Sequence, residues 1–102
     1  MKTSCPKSKQ AMTLIKFSRP QPNFNIISVG DMDFYFSYDH LIGYAAPGES
    51  LNVVMKNRWG EIREPHFNLI EKDKSYRLDS NIFWKKLQGE LDKRSLAIQT
   101  MT

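Results

Sequence analysis

The sequence has little of the material from which catalytic and metal sites are usually built. Its 102 residues include one cysteine, Cys5, and two histidines, His40 and His66. A single cysteine excludes an intramolecular disulfide, and the two histidines lie too far apart for a standard metal-ligand spacing. The chain also lacks a nucleophile elbow, a phosphate-binding glycine loop and a metalloprotease helix. These absences predict a protein that is not an enzyme and has neither a metal site nor a cofactor.

Long apolar runs are missing as well. No stretch is long and apolar enough to cross a bilayer, and the basic N-terminus lacks the apolar segment of a secretory signal. The sequence therefore predicts a cytoplasmic protein with no membrane partner. A hydrophobic content of 40% and an aromatic content of 12% are typical of a folded chain.

Acidic residues are absent from the first 30 positions, where all the early charge is positive. This segment carries +5 and the rest of the chain −1, for a net charge of +4. A basic arm can bind nucleic-acid phosphates with an affinity that falls as salt rises, or it can simply keep the chain in solution. The nucleic-acid hypothesis assigns the contacts to Lys2, Lys7, Lys9, Lys16 and Arg19.

The pattern along the chain predicts one domain with two tails. Residues 1–11 are polar and basic without periodicity, which favours a disordered arm. Residues 12–97 form the single α+β domain, and residues 98–102 are expected to fray. Within the domain, residues 12–18 suit a short edge strand, residues 24–29 are a second strand candidate that a Gly-Asp turn signal closes, and apolar and polar side chains alternate over residues 32–38 as in a half-buried strand.

Turn residues complete the predicted sheet. Pro20 and Pro22 favour an extended connector between the first two strands. A Pro-Gly pair separates residues 41–46 from 51–56, which predicts an antiparallel hairpin, and Gly43 within it indicates a bulge or a close backbone approach. The sheet is therefore expected to have about four or five antiparallel strands.

The aromatic segment "DFYFSYDHLIGY" raises the question of which rings are exposed. Period two places Phe34, Phe36 and Tyr38 on the core side with Met32, and Tyr35 among polar neighbours on the other side. Tyr35 is therefore the aromatic residue of this strand that we expect to be exposed.

A short helix or turn, and then a C-terminal helix, are predicted after the sheet, and the apolar residues of 65–70 do not by themselves decide between helix and strand. Pro65 can begin a helix of one or two turns over residues 65–70. Asp79 or Ser80 can cap an amphipathic C-terminal helix, with Glu90 and Arg94 paired on its solvent side. The apolar side, which should pack on the sheet, carries Ile82, Phe83, Leu87 and Leu91.

Part of the sequence resembles a small uncharacterised domain family of bacteriophage proteins, including those of cyanophages. The stretch "YFSYD" matches the family motif Y-F-S-Y-[DE]-T, and Trp59, His66 and Asn68 match W-x-x-T-T-G-K-H-L-N. His40 stands where the family has threonine, and "EIREP" replaces the Thr-Thr-Gly-Lys turn. The resemblance implies a viral origin and a β-rich fold with a terminal helix, and it implies no activity.

The function hypothesis is a non-enzymatic phage accessory protein that binds a host or phage protein, in the host cytoplasm or in the virion. Tyrosine, tryptophan and arginine dominate binding hot spots, and loops commonly carry function. The expected contact residues are Tyr35, Arg58, Trp59, Arg63 and His66. Nucleic-acid binding is the alternative, and a homo-oligomer through the first strand or through an aromatic face is also open.

Overall fold

The computed structural model describes residues 15–94 and has the predicted α+β architecture, with five antiparallel strands followed by two helices. The strands, in chain order and in sheet order, are β1 Ile15–Gln21, β2 Phe24–Val29, β3 Met32–Ser37, β4 His40–Ala45 and β5 Val53–Val54. The helices are α1 Glu64–Ile70 and α2 Ser80–Lys93, with a 3-10 turn at Lys74–Tyr76 between them. The predicted arm, residues 1–11, and the predicted tail, residues 98–102, lie outside the described residues.

The first strand extends three residues beyond the predicted end at Ser18, and the predicted residues 12–14 lie outside the described part of the chain. β1 runs through Pro20, for which the sequence predicts a connector, and Gln21 still pairs with Phe24. Proline is tolerated there because β1 is an edge strand and its register with β2 shifts between Ser18 and Gln21. The strand prediction for residues 24–29 is confirmed at both ends.

Gly43 has both of the features predicted for it. Tyr35 pairs with Gly43 and Phe36 with Leu41, so β4 contributes one extra residue, Ile42, at a bulge. A Cβ atom at Gly43 would lie 3.0 Å from the Val53 carbonyl oxygen and 3.3 Å from Ile70 Cδ1. The absent side chain therefore allows β5 and α1 to approach β4 closely.

The predicted hairpin is present, but its second strand is shorter than expected. Only Val53 and Val54 pair with β4, because the chain then turns to another partner. Met55 forms a parallel bridge with Leu78, and the amide of Lys56 donates to the Leu78 carbonyl at 2.7 Å. The backbone groups after β5 are therefore divided between two partners, since the Met55 amide donates to the Ile42 carbonyl of β4 at 3.0 Å and the Lys56 amide to the segment that leads into α2.

The two helices cover opposite faces of the sheet. α2 covers the face that carries Phe34 and Tyr44, with the Phe83 ring 5.6 Å from the Tyr44 ring. α1 covers the face of Tyr35 and Gly43, where Ile70 approaches β4. Consecutive residues of β4 and β5 are buried as a result, whereas all seven residues of β1 are exposed.

Most of the residues predicted for the apolar side of α2 are buried. Phe83, Leu87 and Leu91 are buried, but Ile82 is 49% exposed, so the apolar stripe is narrower than predicted. Asp79 is the N-cap residue, although its carboxylate makes no capping hydrogen bond and instead pairs with Lys56 at 2.8 Å.

The predicted pair between Glu90 and Arg94 is present at 2.7 Å, but it does not lie on the solvent side. Glu90 is buried, and Arg94 also donates to Asp31 in the β2–β3 turn at 2.7 Å. The pair faces the sheet because Arg94 joins the end of α2 to that turn. Neither helix in the described part of the chain is long and apolar enough to cross a membrane.

Candidate functional site

The turn between β3 and β4 turns Tyr38 outward. Tyr38 has φ of 59°, a left-handed conformation that is unusual for a tyrosine, and its amide donates to the Asn23 carbonyl at 2.7 Å. The ring is 39% exposed, so the prediction that Tyr38 continues the buried face of β3 is wrong. Period two ends at Ser37 because the backbone leaves the β conformation at the next residue.

The loop before α1 is organised by Asn57. Its side-chain oxygen accepts a hydrogen bond from the Trp59 amide at 2.9 Å, and its amide group donates to the Gly60 carbonyl at 2.8 Å. Gly60 has φ of 100°, a conformation that favours glycine. These contacts fix the position of Trp59, whose half-buried ring stacks on Phe67 of α1 with 6.1 Å between the centroids.

Arg63 joins the turn to the loop. Its guanidinium carbon lies 4.4 Å from the centre of the Tyr38 ring and 5.7 Å from that of the Trp59 ring. Its Nη1 donates to the Ser37 carbonyl at 3.2 Å and to His40 Nδ1 at 2.9 Å. Because arginine can only donate, His40 Nδ1 is the acceptor.

We call this set the aromatic–arginine surface; its members are Tyr38, His40, Arg58, Trp59 and Arg63. The His40 ring lies 5.1 Å from the Trp59 ring, and the Arg58 guanidinium lies 5.7 Å from that same ring. The set therefore combines three partly exposed rings with two cations. Contacts between a cation and a ring face contribute about 0.5–1 kcal/mol each at exposed sites, which helps to hold the side chains in place.

His66 lies behind this surface and is buried. Its Nδ1 shares a hydrogen bond of 2.7 Å with Ser37 Oγ, and its ring packs against those of Phe24 and Tyr38. A hydrogen-bonded Ser–His pair is also the arrangement of nucleophilic enzymes. Here the Ser37 side chain is fully buried, so a substrate atom has no access to Oγ, and the pair instead anchors α1 to the sheet.

A second polar cluster supports α1 from the other side. Buried Arg77 donates to Glu64 Oε2 at 2.8 Å, to Asn68 Oδ1 at 2.9 Å and to the Glu71 carbonyl at 3.0 Å. The hydrogen bond from Asn57, followed by that from Arg77, lowers the pKa of the Glu64 carboxyl below its ordinary value. This cluster joins the Asn57 loop to both ends of α1.

The predicted contact residues are brought together only in part. Arg58, Trp59 and Arg63 lie in the aromatic–arginine surface, with His66 buried beneath it. Tyr35 does not join them: it is half-buried, and its ring lies parallel to that of Phe24 at 6.3 Å. The expectation that Tyr35 is exposed is wrong because α1 covers its face of the sheet.

Sequence reasoning missed Tyr38 and His40 as members of the surface. Both flank Asp39 directly after a strand, and a Tyr-Asp-His sequence at that point is a turn signal. A residue in a turn no longer follows the alternation of the strand before it. The turn signal at Asp39 therefore predicts an exposed Tyr38, whereas the alternation of β3 predicts a buried one.

The nucleic-acid set is divided by the limits of the described residues. Lys16 and Arg19 lie on β1, exposed, with the Arg19 guanidinium 5.6 Å from the Phe17 ring. Lys2, Lys7 and Lys9 lie outside the described residues.

A polar depression of about 430 Å³ lies beside the Asn57 loop. Its cations are already paired: Lys56 contacts Asp79 at 2.8 Å, Arg77 contacts Glu64 at 2.8 Å, and Lys74 contacts Glu64 at 3.7 Å. It therefore offers little unpaired charge to a ligand. Within residues 15–94, His, Asp and Glu side chains form no group of three or more that is placed to hold a metal ion.

Neither a protein-family model, nor a curated protein, nor a solved structure matches this chain. The resemblance to the phage domain family therefore stays a prediction from the motifs.

Proposed function

We propose that this protein works by binding another protein through the aromatic–arginine surface, and that it is not an enzyme. The observation that carries the proposal is the position of Arg63, held by two hydrogen bonds between the rings of Tyr38 and Trp59. Tyrosine, tryptophan and arginine are the residues that contribute most of the energy at protein interfaces.

Preorganisation supports the proposal further. Immobilising a flexible side chain on binding costs about 0.5–1.5 kcal/mol, and much of that cost is already met at Arg63 and Trp59 in the free protein. The left-handed backbone at Tyr38 is a local strain of the kind that clusters at functional sites.

The finer proposal is a phage accessory protein whose partner is a host factor or a phage structural component. It depends on the motif resemblance, which names the phage context, and on the surface, which supplies the contacts. Partners should be captured from lysates of infected and uninfected bacterial host cells with the wild-type chain and with Trp59→Ala.

Trp84→Ala is the matched control for that experiment. Trp84 is also half-buried and packs on Phe83 with nearly perpendicular rings, so both variants lose an indole that supports the core. Circular dichroism should first establish that both variants are folded. We expect Trp59→Ala to lose partners that Trp84→Ala retains. A folded Trp59→Ala chain that captures every wild-type partner would remove this surface from consideration.

Nucleic-acid binding is the second candidate, and the observation that favours it is on β1. Lys16 and Arg19 are exposed there and the strand carries no acidic residue. Fluorescence anisotropy with single- and double-stranded oligonucleotides at low and high salt tests it. Deletion of residues 1–11 removes three lysines and should reduce the salt dependence if the basic arm contributes. Absence of binding at low salt ends this candidate.

A further inference from the structure

The outer edge of β1 is open over the part of the chain that the structure describes. β1 is the longest strand of the sheet, all seven of its residues are exposed, and it pairs with β2 only. An edge strand presents unpaired N–H and C=O groups that can bind another strand. The opposite edge differs, since β5 has two residues and the chain then pairs with Leu78.

One face of this edge is apolar. Ile15 is 66% exposed and Phe17 is 60% exposed. The register places Ile15 beside Val29 and Phe17 beside Ile27, both of which are half-buried. The four side chains therefore form a partly uncovered apolar strip.

The other face and the end of the strand are positive. Lys16 lies on the face opposite Phe17. Arg19 lies on the Phe17 side near the register shift, where its guanidinium is 5.6 Å from the Phe17 ring and its Nε donates to Asn25 Oδ1 at 2.7 Å. The strand carries +2 with no acidic residue. Lysine on an edge strand also serves to keep edges apart. That role alone does not account for two large apolar side chains that are each more than half exposed on the same strand.

We propose that the outer edge of β1 binds an extended segment of a partner protein in which apolar and acidic side chains alternate. Main-chain hydrogen bonds would add the segment as a sixth strand of the sheet, the mode of recognition known as β-augmentation. The apolar side chains would cover Ile15 and Phe17, and the acidic ones would lie beside Lys16 on the other face, with Arg19 adding positive charge at the end of the strand.

Charge selects this occupant over a second copy of the chain. A second β1 would bring two more cations against Lys16 and Arg19. The nearest acidic residue across the sheet on the Lys16 face is Asp33, which lies two strands away and accepts a hydrogen bond from Ser28 at 2.6 Å. With strands about 4.8 Å apart, an added strand lies about 14 Å from Asp33, beyond the screening length of about 8 Å.

The experiment uses the full chain, labelled with ¹⁵N, and two synthetic peptides of the length of β1. One alternates valine with glutamate, and the other alternates valine with lysine. We expect the glutamate peptide to shift the amide resonances of β1 and β2 and to slow hydrogen exchange along β1. The lysine peptide should bind at least about tenfold more weakly, because like charges then face each other.

Charge reversal sharpens the test. The double variant Lys16→Glu, Arg19→Glu should reverse the preference and bind the lysine peptide more tightly. The matched control reverses two exposed charges elsewhere, Lys72→Glu with Lys85→Glu, and should keep the wild-type preference. Trp59→Ala should also bind the glutamate peptide normally, so failure of this proposal is distinct from failure of the aromatic–arginine surface.

Four results would overturn the proposal. They are resonance shifts located away from β1, equal affinity for the two peptides, no binding of either peptide, and displacement of the glutamate peptide by an oligonucleotide that shifts the same amides. A fifth contrary result would come from light scattering. If the wild-type chain is a dimer and the double charge reversal dissociates it, the edge of β1 binds a second copy of the chain.

Discussion

The two edges of the sheet contrast within one small molecule. Around β4 and β5, helices cover both faces, and consecutive residues of each strand are buried. At β1, both faces and the outer edge are exposed over the described residues. The difference arises from where the helices pack, because α1 and α2 contact residues of β2, β3 and β4 but leave all seven residues of β1 exposed. The covered edge should therefore determine stability, whereas the bare edge is available for interaction.

Substitution of two phenylalanines should give the largest difference in stability between the two edges. Phe83 is fully buried against the covered half, and Phe17 is 60% exposed on β1. We expect Phe83→Ala to lower the free energy of unfolding by about 3–5 kcal/mol, from lost burial and a residual cavity. Phe17→Ala should lower it by less than about 0.5 kcal/mol. Urea unfolding measures both, and equal losses would mean that β1 is covered in solution.

Two glycines test the close packing at β4. A Cβ at Gly43 meets the Val53 carbonyl at 3.0 Å, whereas a Cβ at Gly48 has nothing within 4 Å. We expect Gly43→Ala to cost about 1–3 kcal/mol, because backbone atoms must shift to admit the methyl group. Gly48→Ala should be close to neutral in the same denaturant titration. A neutral Gly43→Ala would show that β5 and α1 are not held tightly against β4.

Tyr44 provides a test in which the substitution is expected to increase stability. Its ring is fully buried against Phe83, but its hydroxyl has no hydrogen-bond partner among the described residues. Burial, the largest cause, raises the pKa of this hydroxyl well above its ordinary value. Tyr44→Phe should raise the free energy of unfolding by about 1 kcal/mol, since an unsatisfied polar group is removed and the packing is kept. A loss of stability would indicate a bound water or another partner at the hydroxyl.

The smallest expected effect is a pH dependence of the stability, which arises where the end of α2 meets the β2–β3 turn. Hydrogen bonds from Arg94 are the largest cause that lowers the pKa values of Asp31 and Glu90, from ordinary values of 3.8 and 4.5. A lowered carboxyl pKa contributes stability that is complete above the ordinary value and is lost as pH falls through the folded-state value. Thermal unfolding between pH 6 and about pH 2 should show this loss.

Arg94→Met should flatten that acid dependence, because it removes the donor shared by both carboxylates. Lys93→Met is the neighbouring control, since Lys93 lies 3.5 Å from Glu90 and has a smaller influence on its pKa. An acid dependence unchanged by Arg94→Met would mean that the stability lost at low pH comes from other carboxylates, such as Glu64.

Sequence patterns predicted the structure correctly where interactions between residues close in the chain decide it. The bounds of β2 followed from its strand-forming residues and the turn signal after it, and the burial of Phe34, Phe83 and Leu87 followed from alternation and helical spacing. The patterns gave a wrong prediction where an element that is distant in the chain packs against the residue. Tyr35 is half-buried because α1 covers a face that alternation alone assigned to solvent.

The candidate site was predictable only as a set of residue types in a loop. Arginine and tryptophan near position 59 were visible in the sequence, but their partners come from the β3–β4 turn, about 20 positions earlier. The outward turn of Tyr38 and the contact between His40 and Arg63 require the two loops to meet in space. Buried Glu90 was missed for a related reason, since Arg94 and Asp31 meet only after the helix docks.

The sequence by itself determined the order of the main elements, the antiparallel sheet and the positive charge ahead of the first acidic residue. Those properties depend on side-chain periodicity, backbone preferences and counts, which act over a few residues. Only the tertiary structure decided which face of each strand is covered, and which aromatic rings stand beside arginines. Both depend on where α1 and α2 pack, and packing brings together residues that are remote in the chain.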